Sequence, residues 1–134
     1  MFEAQARAYV EAWRRLPATV EHIVVLRDTP TNRTASNDCI ERAIARRERA
    51  GIVCALPRHR ILHLDPAATA ARRLDSPRVR VVDLTSFMCS SRLCFPVIGG
   101  ALVHKDIDHL TEVFAGTLAP YLERRLVQLL PDWG

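Results

Sequence analysis

Asp106 and His109 stand three residues apart in the run Asp106-Ile107-Asp108-His109-Leu110-Thr111, and their types and spacing suit proton-transfer chemistry. In a hydrolytic triad a histidine takes the proton from a serine hydroxyl while a carboxylate fixes its tautomer and orientation. An Asp-x-x-His spacing delivers both groups from one short segment, because residues three apart share a face of a helical turn. In that arrangement Asp106 orients, His109 is the base, and Asp108 points elsewhere. By itself the spacing also fits a helix-capping acid beside an ordinary histidine. A base and its orienter are two parts of three, and the third is not evident. Ser76, Ser86, Ser90 and Ser91 follow no strand-to-glycine elbow that would expose a nucleophile.

A second constellation competes for His109. Cys89-x4-Cys94-x9-His104-x4-His109 offers two thiolates and two imidazoles, a set suited to tetrahedral zinc. Its central spacing is shorter than the ~12 residues common in two-cysteine, two-histidine fingers, and the segment between reads as an apolar strand. The other cysteines, Cys39 and Cys54, form a second close pair, and four cysteines allow three connectivities. His22, His59 and His63 read as strand-edge or loop histidines. Asp28 precedes Pro30 in a turn, at an edge where α/β sites often gather.

The elements that would position these groups alternate between helix and short apolar strand. Residues 2–16 read as an amphipathic helix, with Tyr9, Val10, Trp13 and Leu16 near one stripe and Pro17 as a stop. Val20–Leu26 is an apolar, β-branched run of strand length, fitting a strand buried on both faces. Ser36, Asn37 and Asp38 offer N-caps for a helix from about Cys39 to Ala50, closed by Gly51. A short strand is expected around Arg60–Leu64, a helix from Pro66 to about Leu74, and a buried strand over Arg78–Leu84. Val97–Val103 reads as a further strand. The last helix is expected from Asp106 or Asp108 to Leu130, with Leu110, Val113, Phe114, Leu118, Tyr121 and Leu122 inward and Pro120 as a kink or stop. This alternation predicts an α/β fold with a parallel sheet. Two strong strands and one or two weak ones are few for a doubly wound domain, so part of a sheet is expected.

The 134 residues, 49% hydrophobic and 25% charged, suit one globular domain. The net charge of +4 is carried by arginine, with Lys105 as the sole lysine. Arg42, Arg46 and Arg49 share one helical face and read as a solvated surface, and no interleaved aromatics or module suggests nucleic acid. No run approaches the ~20 apolar residues of a membrane span, and no signal peptide is visible at Met1–Arg7. As written, the chain is expected to stay in the cytoplasm. The cysteine pairs argue against that, because such pairs in small domains usually form disulfides outside it.

From Val20 onward the chain resembles the C-terminal part of the SGNH-hydrolase domain attached to membrane acyltransferases of the acyltransferase-3 family. The matching residues run in order: Val25-Leu26-Arg27-Asp28-Thr29-Pro30, Asp38-Cys39, Cys54, Val82-Asp83-Leu84-Thr85, Cys89 and Cys94, Val97-Ile98-Gly99-Gly100, and His104 through Thr111. The helix with Leu118-Ala119-Pro120-Tyr121-Leu122 and the first helix through Trp13-Arg14-Arg15-Leu16-Pro17 also have counterparts there. The resemblance implies that Asp106 and His109 are the catalytic carboxylate and histidine, and that Cys39–Cys54 and Cys89–Cys94 are bridged. The family's Gly-Asp-Ser, its oxyanion glycine and its Gly-x-Asn-Asp block have no match among these residues. Ser36-Asn37-Asp38 echoes the last of these but falls on the wrong side of the Asp28-Thr29-Pro30 turn.

The expectation is therefore a single partial SGNH domain over 1–134, a three-layer α/β/α (flavodoxin-like) architecture without its N-terminal strands. It would be the C-terminal portion of an acyl-ester hydrolase or O-acyltransferase domain acting on cell-envelope glycans, inactive alone and needing no cofactor. Its partners would be the missing N-terminal half, a membrane acyltransferase domain and an acylated glycan. Within a longer protein it would lie outside the cytoplasm, tethered to the membrane. The alternatives are a non-catalytic half-domain remnant or interaction module, and a small zinc-stabilised binding domain.

Overall fold

Two short β-branched runs make the only parallel strand pair among the described residues, 1–132, of the computed structural model. β1 (Ile23–Leu26) lies beside β3 (Val79–Val82) in the register Ile23–Val79 through Leu26–Val82. Between them in sequence come α2 (Ser36–Ala45), α3 (Ala50–Val53), β2 (Leu56–Pro57), α4 (Arg58–Ile61) and α5 (Pro66–Leu74). α1 (Phe2–Arg15) precedes β1. After β3 come a 3-10 turn over Thr85–Phe87, β4 (Leu93–Cys94), β5 (Val97–Ile98), β6 (Ala101–Leu102) and α6 (Glu112–Leu129). The fold is mixed α/β, as the alternation of patterns predicts.

The chain divides into two compact units. The first holds Met1–Asp28, Leu64–Leu84 and the chain from Tyr121 onward. Its core is built from Val25, Ala68, Ala71 and Val79, with Trp13, Ile23, Leu74 and Val81 packed around them. Small alanines on the buried face of α5 bring that helix close to the β-branched strands. Asp65 caps α5 by accepting the Ala68 N–H at 2.9 Å, and Pro66 sits where a missing N–H costs nothing. Arg78 holds the link between α1 and β1 by donating to the carbonyls of Val20 (2.8 Å), Leu16 (3.1 Å) and Pro17 (2.8 Å). No further strand pairs with β1 or β3 among the described residues, and Leu26 is half exposed.

The second unit, Thr29–His63 with Thr85–Pro120, is stitched by covalent bonds and short ladders. Disulfides join Cys39 to Cys54 and Cys89 to Cys94. The first lies in a core with Ile40 and Ala43, against Val97 and Leu102. β2 and β4 pair antiparallel, as do β5 and β6. Gly99 and Gly100 turn the β5–β6 hairpin with φ of +57° and +78°, values that favour glycine. Gly51 is required for a different reason: a Cβ there would collide with the Val97 carbonyl oxygen.

Several sequence expectations are corrected. The helix expected over Cys39–Ala50 starts at Ser36 and ends at Ala45, where Arg47 takes a left-handed φ of +57°, and α3 follows separately. Its N-cap is Ala35, with no side-chain cap from Ser36, Asn37 or Asp38. The strand expected at Arg60–Leu64 is instead the single helical turn α4, closed by the Leu62 N–H on the Arg58 carbonyl at 2.8 Å. Val97–Val103 is not one strand but a hairpin, and Val113 is exposed. The last helix begins only at Glu112 and continues through Pro120.

Candidate functional site

The loop that carries Asp106 and His109 lies in the second unit and closes on itself. The Lys105 N–H donates to the His109 carbonyl at 2.9 Å, and His104 and Leu110 form an antiparallel bridge. The Thr111 N–H donates to the Val103 carbonyl at 2.9 Å, and the Thr111 hydroxyl donates to the Leu102 carbonyl. That same hydroxyl accepts the Phe114 N–H at 3.2 Å, which caps α6. At the tip of the loop the Asn32 N–H donates to the Ile107 carbonyl at 2.5 Å. The loop is thus fixed at its base by β6 and α6, and at its tip by the segment after Pro30.

Within it, Asp106 folds back on its own backbone. Its Oδ1 accepts the His109 N–H at 2.7 Å and the Asp108 N–H at 3.1 Å, an Asx-type turn. These bonds bring its carboxylate against the imidazole: His109 Nδ1 lies 2.9 Å from Asp106 Oδ2 and 3.1 Å from Oδ1. The His109 N–H, with the Asp108 N–H and the imidazole adding to it, holds the Asp106 carboxyl down to a pKa of about 2. Asp106 is therefore an anion at every pH where a hydrolytic histidine works. His109 Nε2 has no hydrogen-bond partner among the described residues, and the side chain is 67% exposed. A histidine with Nδ1 on a carboxylate and Nε2 open can accept a proton from an incoming hydroxyl.

Asp108 does not point away. Its Oδ1 lies 3.1 Å from the same His109 Nδ1, so two carboxylates flank one nitrogen. Sequence spacing missed this because the segment is a tight turn, not the helical turn in which adjacent residues diverge. Ligand atoms of Asp106, Asp108 and His109 all lie within 4.8 Å of one another, but all three residues are exposed. Nδ1 is already engaged by the two carboxylates, so the group reads as a hydrogen-bonded turn.

The cysteine–histidine zinc set is not assembled. Cys89 and Cys94 are bonded to each other, which leaves no thiolate to bind metal. His104 is buried at 4% exposure, with one ring nitrogen on the Pro30 carbonyl and Nε2 without a partner. Burial pushes its imidazole below the ordinary value, against the pull of that carbonyl and of the Asp106 and Asp108 charges. It is a neutral core histidine that supports the loop two residues before Asp106.

The remaining candidates disperse. The Asp28 N–H donates to Asp65 Oδ2 at 2.8 Å, which makes the turn after β1. Ser90 Oγ is engaged with the backbone of Arg92 and Leu93 inside the Cys89–Cys94 loop. His63 lies 3.4 Å from the Thr31 hydroxyl. A cleft of about 650 Å³ in the second unit, lined by Arg49, Ile52, Phe87, Phe95 and Ile98 among others, does not include Asp106 or His109.

No helix among the described residues is long and apolar enough to cross a membrane. No curated protein and no solved structure matches the chain. A family model described as an SGNH domain fused to AT3 domains matches residues 2–124. With its α/β fold, its two bridged cysteine pairs and its carboxylate–histidine turn, the chain belongs to this family of SGNH domains, a domain of acyl-hydrolase or acyltransferase type.

Proposed function

We propose that this chain supplies the general base, His109, and its orienting carboxylate, Asp106, to an SGNH site that cleaves or transfers O-acyl groups on cell-envelope glycans. The observation that carries this reading is the bond of His109 Nδ1 to Asp106 Oδ2 at 2.9 Å, with Nε2 left open. The serine nucleophile and oxyanion donors come from a segment outside these residues, because no Gly-Asp-Ser or Gly-x-Asn-Asp occurs among them. That segment would extend the parallel pair β1–β3 on its unpaired edges. The domain works outside the cytoplasm, beside a membrane acyltransferase domain, where Cys39–Cys54 and Cys89–Cys94 oxidise.

The isolated chain should hydrolyse a chromogenic acetyl ester no faster than buffer, because an absent nucleophile and oxyanion hole remove most of the rate. Supplying a Gly-Asp-Ser-bearing N-terminal segment in cis should restore turnover. In that completed protein His109→Ala should lower turnover by roughly 100- to 10,000-fold. Hydrolysis by the isolated chain that vanishes in His109→Ala would refute the division of labour. Full activity of the completed His109→Ala protein would refute the assignment of the base.

A further inference from the structure

A cleft lined in part by the Cys89–Cys94 loop and rich in basic residues is unused by the chemistry proposed above. It encloses about 560 Å³ and is lined by Pro57, Arg58, His59, Leu62, Ser91 and Arg92. Two of these are guanidiniums, one is an imidazole and one a hydroxyl, and none is a carboxylate. The arginines are held together by structure, not by chance of side-chain reach. The Arg58 N–H donates to the Arg92 carbonyl at 2.8 Å, and the Arg58 Nη1 donates to the Ser90 carbonyl at 3.0 Å. Pro57 pairs with Leu93 in the β2–β4 ladder, and the disulfide closes the loop that carries Ser91 and Arg92.

Like charges brought near one another repel, weakly where water reaches them, and an anion between them relieves that repulsion. Arg58 meets only a neutral carbonyl, and the Arg92 and His59 side chains have no partner among the described residues. Guanidinium forks match the planar or tetrahedral oxygens of carboxylate and phosphate, which two arginines, an imidazole and a hydroxyl can surround.

We propose that this cleft is an oxyanion-binding subsite that holds a phosphate or carboxylate substituent of the substrate polymer. The polymer's being a glycan rests on the function proposed above, but the anion site does not. The polymer that carries the acyl ester is therefore anionic, and the cleft anchors a charged substituent of the same chain whose ester is turned over.

The test is an NMR titration of the full, oxidised 134-residue chain with inorganic phosphate and, separately, with glucuronate, at ionic strength matched with chloride. Saturable shifts confined to Arg58, His59, Ser91 and Arg92 are expected with at least one probe. Response to phosphate alone identifies a phosphorylated polymer, and response to glucuronate alone a uronic-acid polymer. Arg92→Ala should weaken binding roughly tenfold, as loss of a charged hydrogen-bond donor does. Arg42→Ala, on α2, should leave it unchanged. Shifts that do not saturate, that spread equally over Arg42 and Arg46, or that survive Arg92→Ala overturn the site. If Arg92→Ala loses its dispersed spectrum, His59→Ala probes the same cleft from α4, and unchanged affinity there overturns it. No ester is turned over in this experiment, so failure of the anion site and failure of the catalytic reading remain distinguishable.

Discussion

Asp106 and Asp108 present similar oxygens to one imidazole nitrogen, at 2.9 and 3.1 Å, yet they do different work. Asp106 is also bonded to two backbone N–H groups, so its position is set by the chain whether or not His109 is charged. The Asp108 carboxylate accepts no backbone N–H among the described residues, and its side chain is 69% exposed. A contact of that kind is worth little by itself. Asp106→Asn should therefore speed amide exchange at Asp108 and His109 by roughly tenfold, whereas Asp108→Asn should leave those rates within about twofold. Equal effects from both substitutions, measured by NMR exchange, would show that the turn does not depend on the Asp106 carboxylate. The Asp106 carboxyl, depressed from 3.8 to about 2, gives its support above its unfolded pKa. That support fades as pH falls from about 3.8 and is gone once it has passed through about 2.

At the level of elements, the segment Val103–Thr111 shows what was readable in the sequence and what was not. The Asp-x-x-His spacing picked out two residues that the fold brings into contact but misplaced them on a helix. An aspartate that bonds the amides two and three residues on looks, in sequence, like an N-cap. Here it closes a turn, and Thr111 caps α6 instead. A similar ambiguity hid α4: Arg60–Leu64 is apolar enough for a strand, but Pro57 and the Leu62–Arg58 bond make a helical turn one step earlier. α1, α5, β1 and β3 were legible because one face of each is buried in a common core. His104, buried behind the turn, links this element to pH. Its folded pKa lies below its ordinary value, so the unfolded chain binds the proton more readily. Its contribution is full above about pH 6.5 and shrinks as pH falls below that. Thermal unfolding should accordingly show a drop in Tm from pH 7.5 to pH 5.5 that His104→Gln flattens. A Tm slope unchanged by that substitution would assign the acid sensitivity elsewhere. Gly51→Ala tests the packing of α3 on β5 and should cost about 1–3 kcal/mol in urea unfolding, since the new methyl meets the Val97 carbonyl.

Across the whole molecule, stability is obtained by different means in the two units. The first has an alanine–valine core capped by α1 and α5 and contains no cysteine. The second has ladders of two residues per strand, too short to be stable alone, and both disulfides. Sequence spacing left three cysteine connectivities open. The family resemblance implied Cys39–Cys54 and Cys89–Cys94, and the structure has that pairing, the first beside Ile40 and Ala43 and the second between residues that also form a β-bridge. The parallel pair was likewise legible from two apolar runs, whereas the two-residue strands of the second unit carry too few residues for any period to show. The Cys39–Cys54 bridge closes a separation of 15 residues, for which loop-closure entropy predicts about 3 kcal/mol. Reduction should therefore act on one unit first. With dithiothreitol, hydrogen exchange followed by mass spectrometry should show lost protection in Thr29–His63 and Thr85–Pro120, while β1, α5 and β3 keep theirs. The Cys39→Ser, Cys54→Ser double variant should reproduce the loss around α2 and α3 without reductant. Protection lost to the same degree in β1 and β3 would mean that the parallel pair, too, depends on the covalent frame. Its own alanine–valine core would then be insufficient to hold it.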